Sequence, residues 1–182
     1  VSYRRDDPFT RLGAIALASF AIAPTATATT ATAAARAALA IRPLFGTSFL
    51  IEAMFAKESW FGADTLVMTS ASSKTALALA HVARAKAPQI RRIGLTSTGN
   101  AGFVVKSGLY DEVLSYDEIG KLAGRNAVSV DFAGNSSVLR AIHEALGDGL
   151  KYSCLVGATH VDARGQGDAA LPGPAPILFF AP

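Results

Sequence analysis

The sequence predicts an α/β fold built on a doubly wound parallel sheet of about six strands. From Arg42 onward, short apolar runs alternate with longer stretches of helical periodicity, which is typical of repeated βαβ units. Hydrophobic residues make up 51% of the chain and charged residues only 17%, which suits strands buried on both faces and excludes a disordered chain. With 182 residues, the chain is long enough for one such domain.

The predicted domain begins with a helix. Thr47 or Ser48 is predicted to cap a helix that ends near Lys57. Its apolar residues fall on one face, which is expected to point to the core: Phe49, Leu50, Ala53 and Met54.

Six strands and four further helical segments follow, separated by Gly, Pro and polar turn signals. The predicted strands are Asp64–Thr69, Ile90–Thr96, Glu112–Ser115, Ala127–Asp131, Leu150–Val156 and Ile177–Phe180. The predicted helices are Ser73–Ala87, Asn100–Ser107, Asp117–Leu122 and Ser136–Leu146. Pro88 ends the first of these helices and Gly108 the second, because neither residue continues a helix well. Val138, Leu139, Ile142 and Leu146 are expected to face inward.

Residues 1–41 form an Ala/Thr-rich, low-complexity segment that we interpret as an arm or linker before a domain at residues 42–182. Two alternatives stay open, a truncated domain and a secretory signal. Basic residues, an apolar stretch from Leu12 to Ala23 and Ala-x-Ala triplets resemble such a signal, and the stretch is too short to span a membrane. The start at Val1 favours a fragment or a processed chain.

The net charge, the single cysteine and the histidines limit the classes of partner and ligand that are expected. Net charge is +3, with 17 Lys and Arg scattered along the chain, so we expect no nucleic-acid partner and no membrane partner. Cys154 lies in an apolar run and is expected to be a core residue of a cytoplasmic protein. It and the three histidines, His81, His143 and His160, have no metal-ligand spacing, so no metal is predicted.

The turn after the first predicted strand is the main candidate site. It stands where dinucleotide-binding folds carry G-x-G-x-x-G, with Ser70 and Ser73 in place of two glycines and Ala76 at the helix-packing position. Free backbone N–H groups, the helix dipole and Lys74 are expected to hold a phosphate here. The candidate residues are Ser70, Ala71, Ser72, Ser73, Lys74 and Thr75. A polar turn without a ligand explains the pattern equally well.

The same segment also resembles the G-K-[ST] end of a mononucleotide P-loop at Ser73-Lys74-Thr75. The leading glycines are missing, and no strand is predicted to end in a suitable Asp near a hydroxyl. A nucleoside triphosphatase is therefore disfavoured.

The end of the second predicted strand bears on the choice of cofactor. NAD-selective folds place an acid there for the ribose 2′-OH, whereas this chain has Thr96, Ser97 and Asn100. We therefore predict NADP(H), with NAD(H) left open. A helix cap is the alternative role for these residues.

Later turns at the same edge supply the remaining candidates, and none is predicted to be catalytic. His160 as a proton donor and Asp131 as a ligand-orienting group or cap are weaker options, since a lone loop histidine is more often solvated. The predicted cofactor-binding residues are Tyr116, Ala133, Gly134, Asn135, Gly157, Ala158 and Thr159.

Three segments, VMTSASSKTALALAHVA, RIGLTSTGNAGFVVKSGLYDEVLSYDEI and AVSVDFAGNSSVLRAIHEALGDGLKYSCLVGAT, together resemble the cofactor half of zinc-independent, quinone-oxidoreductase-like medium-chain dehydrogenases/reductases. More closely, RPLFGTSFLIEAMF, SASSKTA, AGN, LKYSC and VGATH are similar to an uncharacterised domain-of-unknown-function family related to those reductases. The resemblance covers about Arg42 to Pro182. It implies a Rossmann fold and NADP(H) contacts at the first turn, at Thr96 and Ser97, and at the two later turns.

The resulting hypothesis is an NADP(H)-binding Rossmann module of an oxidoreductase that transfers hydride to a carbonyl or enone. Residues 1–41 lack the strand alternation of a substrate domain, so this chain is expected to bind a cofactor without turning over a substrate. The alternative is a non-catalytic scaffold or protein-interaction module. Whether the protein is an enzyme and whether it forms a homodimer are left open.

Overall fold

A computed structural model describes residues 44–156 and 171–180 of the protein, which belong to one compact unit, Leu44–Pro182. The predicted arm at residues 1–41 and its secretory alternative lie outside the described residues. The same is true of Gly157, Ala158, Thr159 and His160.

The described elements alternate between helix and strand as the sequence predicts. The helices are α1 (residues 44–57), α2 (Lys74–Lys86), α3 (Thr98–Lys106) and α4 (Ser136–Leu146). The strands are β1 (Thr65–Met68), β2 (Arg91–Thr96), β3 (Glu112–Ser115), β4 (Ala127–Asp131), β5 (Leu150–Leu155) and β6 (Ile177–Leu178). Short 3₁₀ segments lie at Ser59–Gly62, Tyr116–Leu122 and Gly147–Gly149.

All six strands are parallel and lie in the order β3-β2-β1-β4-β5-β6. The chain adds strands on one side of β1 and then crosses to add β4, β5 and β6 on the other side. The order therefore reverses between β1 and β4, where a crevice opens outside the carboxyl ends of the strands. The predicted doubly wound, Rossmann-like sheet is confirmed.

The two faces of the sheet are both covered, because consecutive residues of a strand point to opposite sides. Leu66 and Met68 of β1 pack in one cluster with Ile51 of α1 and Leu79 of α2. Val67, between them, belongs to the other cluster, together with α4 and the 3₁₀ segment Tyr116–Leu122. Cys154 is fully buried on the first face, as the sequence predicts.

Helix α1 corrects the prediction for the first helix. It is already helical at residue 44, so Thr47 and Ser48 lie inside the helix and neither is its cap. The Ser48 hydroxyl instead lies 2.9 Å from the Leu44 carbonyl and 3.0 Å from that of Thr75 in α2. With two carbonyl acceptors nearby, this hydroxyl is satisfied inside the helix. One acceptor belongs to another helix, so the local sequence around Ser48 could not reveal this role.

The buried face of α1 also differs from the prediction. Phe49, Leu50, Ala53 and Met54 are only half-buried, whereas Ser48, Ile51, Glu52 and Phe55 are buried. Glu52 was not expected in the core because a buried carboxylate needs a partner. Lys86 at the end of α2 supplies it in an ion pair, and its ammonium group also lies 4.4 Å from the centre of the Phe49 ring.

The returning segment that leads to β6 is held by a buried histidine of α4. His143 Nδ1 lies 2.8 Å from the Pro172 carbonyl oxygen, and Nε2 lies 2.9 Å from the Ser153 hydroxyl oxygen on β5. A carbonyl can only accept, so Nδ1 carries the proton and the Ser153 hydroxyl donates to Nε2. Burial lowers the pKa of His143, although the Pro172 carbonyl opposes this effect. The folded protein therefore holds this imidazole neutral.

The neutral His143 predicts an acid-sensitive fold. In the unfolded chain the imidazole gains a proton below about pH 6.5, whereas in the folded state it resists protonation. The free energy of unfolding should therefore fall as the pH drops below about 6.5 and level off below the folded-state pKa. Urea unfolding at a series of pH values measures this loss.

The matched variant is His143→Asn, whose side-chain amide keeps a donor close to the position of Nδ1. It should be less stable at neutral pH but lose less stability on acidification than the wild type. An equal acid loss in the two proteins would assign the effect to other groups.

Candidate functional site

Four of the five predicted site segments meet at the carboxyl edge of the sheet. They follow β1, β2, β3 and β4, and in a parallel sheet these strands all end at the same edge. The fifth segment, Gly157 to Thr159, lies outside the described residues. The grouping of the other four agrees with the sequence analysis, and cofactor binding by them stays a prediction.

The turn after β1 begins with a backbone conformation that normally belongs to glycine. Ser70 has φ of 47°. This left-handed region is unfavourable for most residues and is usually occupied by Gly, Asn or Asp. The Ser70 N–H donates to the Tyr116 hydroxyl at 3.1 Å. Tyr116 thus reaches across from the end of β3 to hold the turn, and its predicted contact with a cofactor stays a prediction.

The next residue of the turn, Ala71, is packed against β2. Its N–H donates to the Leu95 carbonyl at 3.0 Å, and its own carbonyl accepts from the Tyr110 hydroxyl at 2.9 Å. Burial raises the pKa of Tyr110, which keeps this hydroxyl protonated as a donor. Gly94 of β2 makes the packing fit, because a Cβ there would lie 2.8 Å from the Ala71 Cβ and 2.9 Å from the Tyr110 ring.

The amides of the turn are therefore only partly free, which corrects the expectation of an open phosphate cradle. Besides those of Ser70 and Ala71, the Ser73 amide donates to the Ser70 carbonyl at 2.7 Å, and the Ala76 amide donates to the Ser73 hydroxyl oxygen at 3.2 Å. Within the described part of the chain, no protein acceptor takes a hydrogen bond from three amides at the start of α2: Ser72, Lys74 and Thr75. Lys74 is exposed beside them.

The end of β4 carries a buried carboxylate, Asp131, which is only 2% exposed. Its Oδ1 accepts from the Thr69 hydroxyl at 2.6 Å and from the amides of Ala133 at 2.9 Å and Gly134 at 3.3 Å. The Thr69 hydroxyl oxygen in turn accepts from the Phe132 amide at 2.9 Å. Asp131 Oδ2 is buried and has no hydrogen-bond partner among the described residues.

Asp131 also corrects the expectation that no strand ends in a suitable Asp near a hydroxyl. The sequence contained the signal. Thr69 directly follows β1 and Asp131 is the last residue of β4, and these two strands are neighbours in the sheet, so their carboxyl ends are adjacent. From the sequence, Asp131 is only a weaker option as a ligand-orienting group or cap, and Thr69 is not singled out as its partner. In the structure a hydrogen bond from Thr69, the residue before the turn, joins this carboxylate to the turn after β1.

The remaining predicted residues mostly support their own helices. Asn135 caps α4, accepting from the amides of Ser137 at 3.0 Å and Val138 at 3.3 Å. At the start of α3, the Asn100 amide group donates to the Ser97 hydroxyl oxygen at 3.1 Å, and both side chains are exposed. Ser97 and Asn100 are therefore still accessible to a ligand at the end of β2.

Metal ligation and membrane insertion are two further properties that bear on function in residues 44–156 and 171–180. No group of three or more His, Cys, Asp and Glu side chains there could hold a metal ion. None of the helices in these ranges combines the length and the apolarity needed to cross a bilayer.

The comparisons with known proteins give one finding about kinship. Residues 20–182 match a family model described as "Protein of unknown function (DUF2855)". Searches among curated proteins and among solved structures found no match. The geometry described above therefore carries the functional argument.

The contact between Ala71, Gly94 and Tyr110 predicts that Gly94→Ala destabilises the protein. The added methyl group overlaps both neighbours, so the turn must move, at a cost of about 1–3 kcal/mol in the free energy of unfolding. Chemical denaturation measures this cost. Gly102→Ala, inside α3 with open space around the added methyl group, is the control and should gain about 0.5–1 kcal/mol. Equal effects of the two substitutions would contradict the packing argument.

Proposed function

Because the chain belongs to the DUF2855 family, which has no described activity, we propose its function from the carboxyl edge of the sheet. The proposal is that the protein is an NADP(H)-binding Rossmann module of a zinc-independent oxidoreductase similar to the medium-chain reductases. NAD(H) is the second choice of cofactor.

The observation that carries the proposal is the position of the free amides of Ser72, Lys74 and Thr75. They lie at the N-terminus of the 13-residue helix α2, directly after β1, where the strand order reverses. Unpaired N–H groups and the positive end of a helix dipole favour a bound phosphate, and the exposed Lys74 adds a full charge.

The turn sets where a pyrophosphate fits. The Ala71 amide is bonded to β2 and the Ser70 amide to Tyr116, so these two amides are not available to a ligand. The first turn of α2 does offer free amides, and Ser97 and Asn100 at the end of β2 provide an uncharged place for a 2′-phosphate. These groups are the ones that would hold NADP(H).

When bound, NADP(H) would supply hydride transfer, and the protein would contribute its position and surroundings. The choice of a carbonyl or enone as hydride acceptor rests on the resemblance to medium-chain reductases. Tyr110 and Tyr116 are occupied in holding the turn, so neither is assigned as a proton donor.

A second candidate function, a non-catalytic scaffold, is favoured by the same turn. Hydrogen bonds within the protein already satisfy the amides of Ser70, Ala71 and Ser73, and Asn135 is used as a helix cap. A turn that satisfies most of its own donors keeps its shape without a ligand. Binding measurements separate the two candidates.

The phosphate site is tested with Lys74→Glu. NADPH at a hundred times its dissociation constant should stabilise the wild type by about 2.7 kcal/mol, seen as a rise in melting temperature, and the variant should lose this rise. Glu at the first residue of α2 suits the helix dipole, so the variant itself should fold normally. Lys57→Glu, exposed at the end of α1, is the matched control and should retain the response.

A response that survives in Lys74→Glu would make Lys74 an ordinary surface residue. No response of the wild type to NADPH or NADH would favour the scaffold.

The cofactor preference is tested with Ser97→Asp. Asp is also a good helix cap, so α3 should keep its stability. Its charge should repel the 2′-phosphate and accept from a 2′-OH, which shifts the affinity ratio toward NADH. Calorimetric titrations with both cofactors measure the ratio, and an unchanged ratio would remove Ser97 from the site.

A further inference from the structure

Two buried side-chain oxygens among the described residues have no hydrogen-bond partner, Asn126 Oδ1 and Asp131 Oδ2. Asn126 precedes β4, whereas Asp131 ends β4 at the carboxyl edge, beside the turn before α2. The Asp131 side chain is 2% exposed and forms no ion pair with a described residue. Burying a carboxylate is costly unless its oxygens are satisfied, and such a group is rarely left incomplete without a reason.

The two oxygens of this carboxylate have different roles. Oδ1 accepts three hydrogen bonds, from the Thr69 hydroxyl and the amides of Ala133 and Gly134. These three hydrogen bonds fix the orientation of the group. Oδ2 is thereby held in a fixed position with its lone pairs unused.

The position of Asp131 links this oxygen to the proposed site. The Thr69 hydroxyl that donates to Oδ1 immediately precedes the turn before α2, and Asp131 ends the strand that pairs with β1. The free amides of Ser72, Lys74 and Thr75 favour an anion, whereas a carboxylate oxygen repels one and accepts from a neutral donor. The two parts of the crevice therefore suit a ligand that carries both a phosphate and a hydroxyl group.

We propose that Asp131 Oδ2 accepts a hydrogen bond from a sugar hydroxyl of the bound ligand, so that the crevice selects a ribose-bearing phosphate over a bare one. This inference rests on the proposed function for the identity of the ligand. Oδ2 is closed to bulk water in the ligand-free protein, so binding includes a local opening at the end of β4.

Asp131→Asn separates this role from a structural one. The amide oxygen can still accept from Thr69, Ala133 and Gly134, while the position of Oδ2 becomes an NH₂ group that cannot accept. Asp131 has no ion-pair partner among the described residues, and Asn keeps the acceptor for the three donors to Oδ1. The melting temperature of the ligand-free protein should therefore be unchanged or higher in the variant. Asp64→Asn, the same change on an exposed residue at the opposite edge of the sheet, is the control.

The affinities for NADPH and for inorganic pyrophosphate are measured by calorimetry on the wild type and both variants. Asp131→Asn should weaken NADPH binding at least about tenfold, because a hydrogen bond to a charged group is lost. Its affinity for pyrophosphate should equal that of the wild type. If the wild type shows no detectable binding of pyrophosphate, the variant should show none either. Asp64→Asn should behave as the wild type with both ligands.

Several results would overturn the inference. If NADPH affinity stays within about twofold in Asp131→Asn, the inference is wrong and the proposed function stands. A drop of more than about 5 °C in the ligand-free melting temperature, or an equal loss of pyrophosphate binding, would make the role of Asp131 structural. If the wild type binds neither ligand, the proposed function fails and the inference fails with it.

Discussion

The hydrogen bond from the Thr69 hydroxyl to Asp131 joins the carboxyl ends of β1 and β4, the two strands between which the strand order reverses. In a parallel sheet, neighbouring strands end at one edge without a tight turn between them, so side chains must connect the loops that follow. The Phe132 amide bonds to the same hydroxyl, and two more amides bond to the same carboxylate oxygen. This small buried network sets the relative positions of the turn before α2 and the loop after β4, and hence the shape of the crevice.

The turn after β1 shows what happens when serine occupies positions that glycine usually fills. Ser70 adopts a left-handed backbone although it is not a glycine. Tyr116, directly after β3, and Tyr110, shortly before β3, form the hydrogen bonds that hold the turn. Donors that a glycine-rich turn leaves for a ligand are thus partly used within the protein, while the amides of Ser72, Lys74 and Thr75 have no acceptor among the described residues. In the proposed function, the phosphate therefore binds nearer to the helix than a glycine-rich turn would place it.

The sequence predicted the fold well because the signals of a parallel sheet are local. The bounds of β3, β4 and α4 agree with the prediction, since apolar runs and small-residue turns mark them directly. The errors involve partners that are distant in sequence. Ser48 resembles a helix cap until the Thr75 carbonyl is known to be its neighbour, and the Ser70 amide appears free until Tyr116 is seen to reach it. The same limit hid the pairing of Thr69 with Asp131.

The hydrogen bond between Ser48 and the Thr75 carbonyl has an effect beyond the stability of α1. The Thr75 amide is one of the free donors of the candidate site, whereas the Thr75 carbonyl accepts a hydrogen bond from Ser48 of α1. The same residue therefore belongs to the candidate site and to the contact with α1. This bond fixes the first turn of α2 against α1 in addition to its contacts with the sheet. Helix α1 thus supports the start of α2 from behind, on the face of the sheet where residues of both helices pack in one apolar cluster.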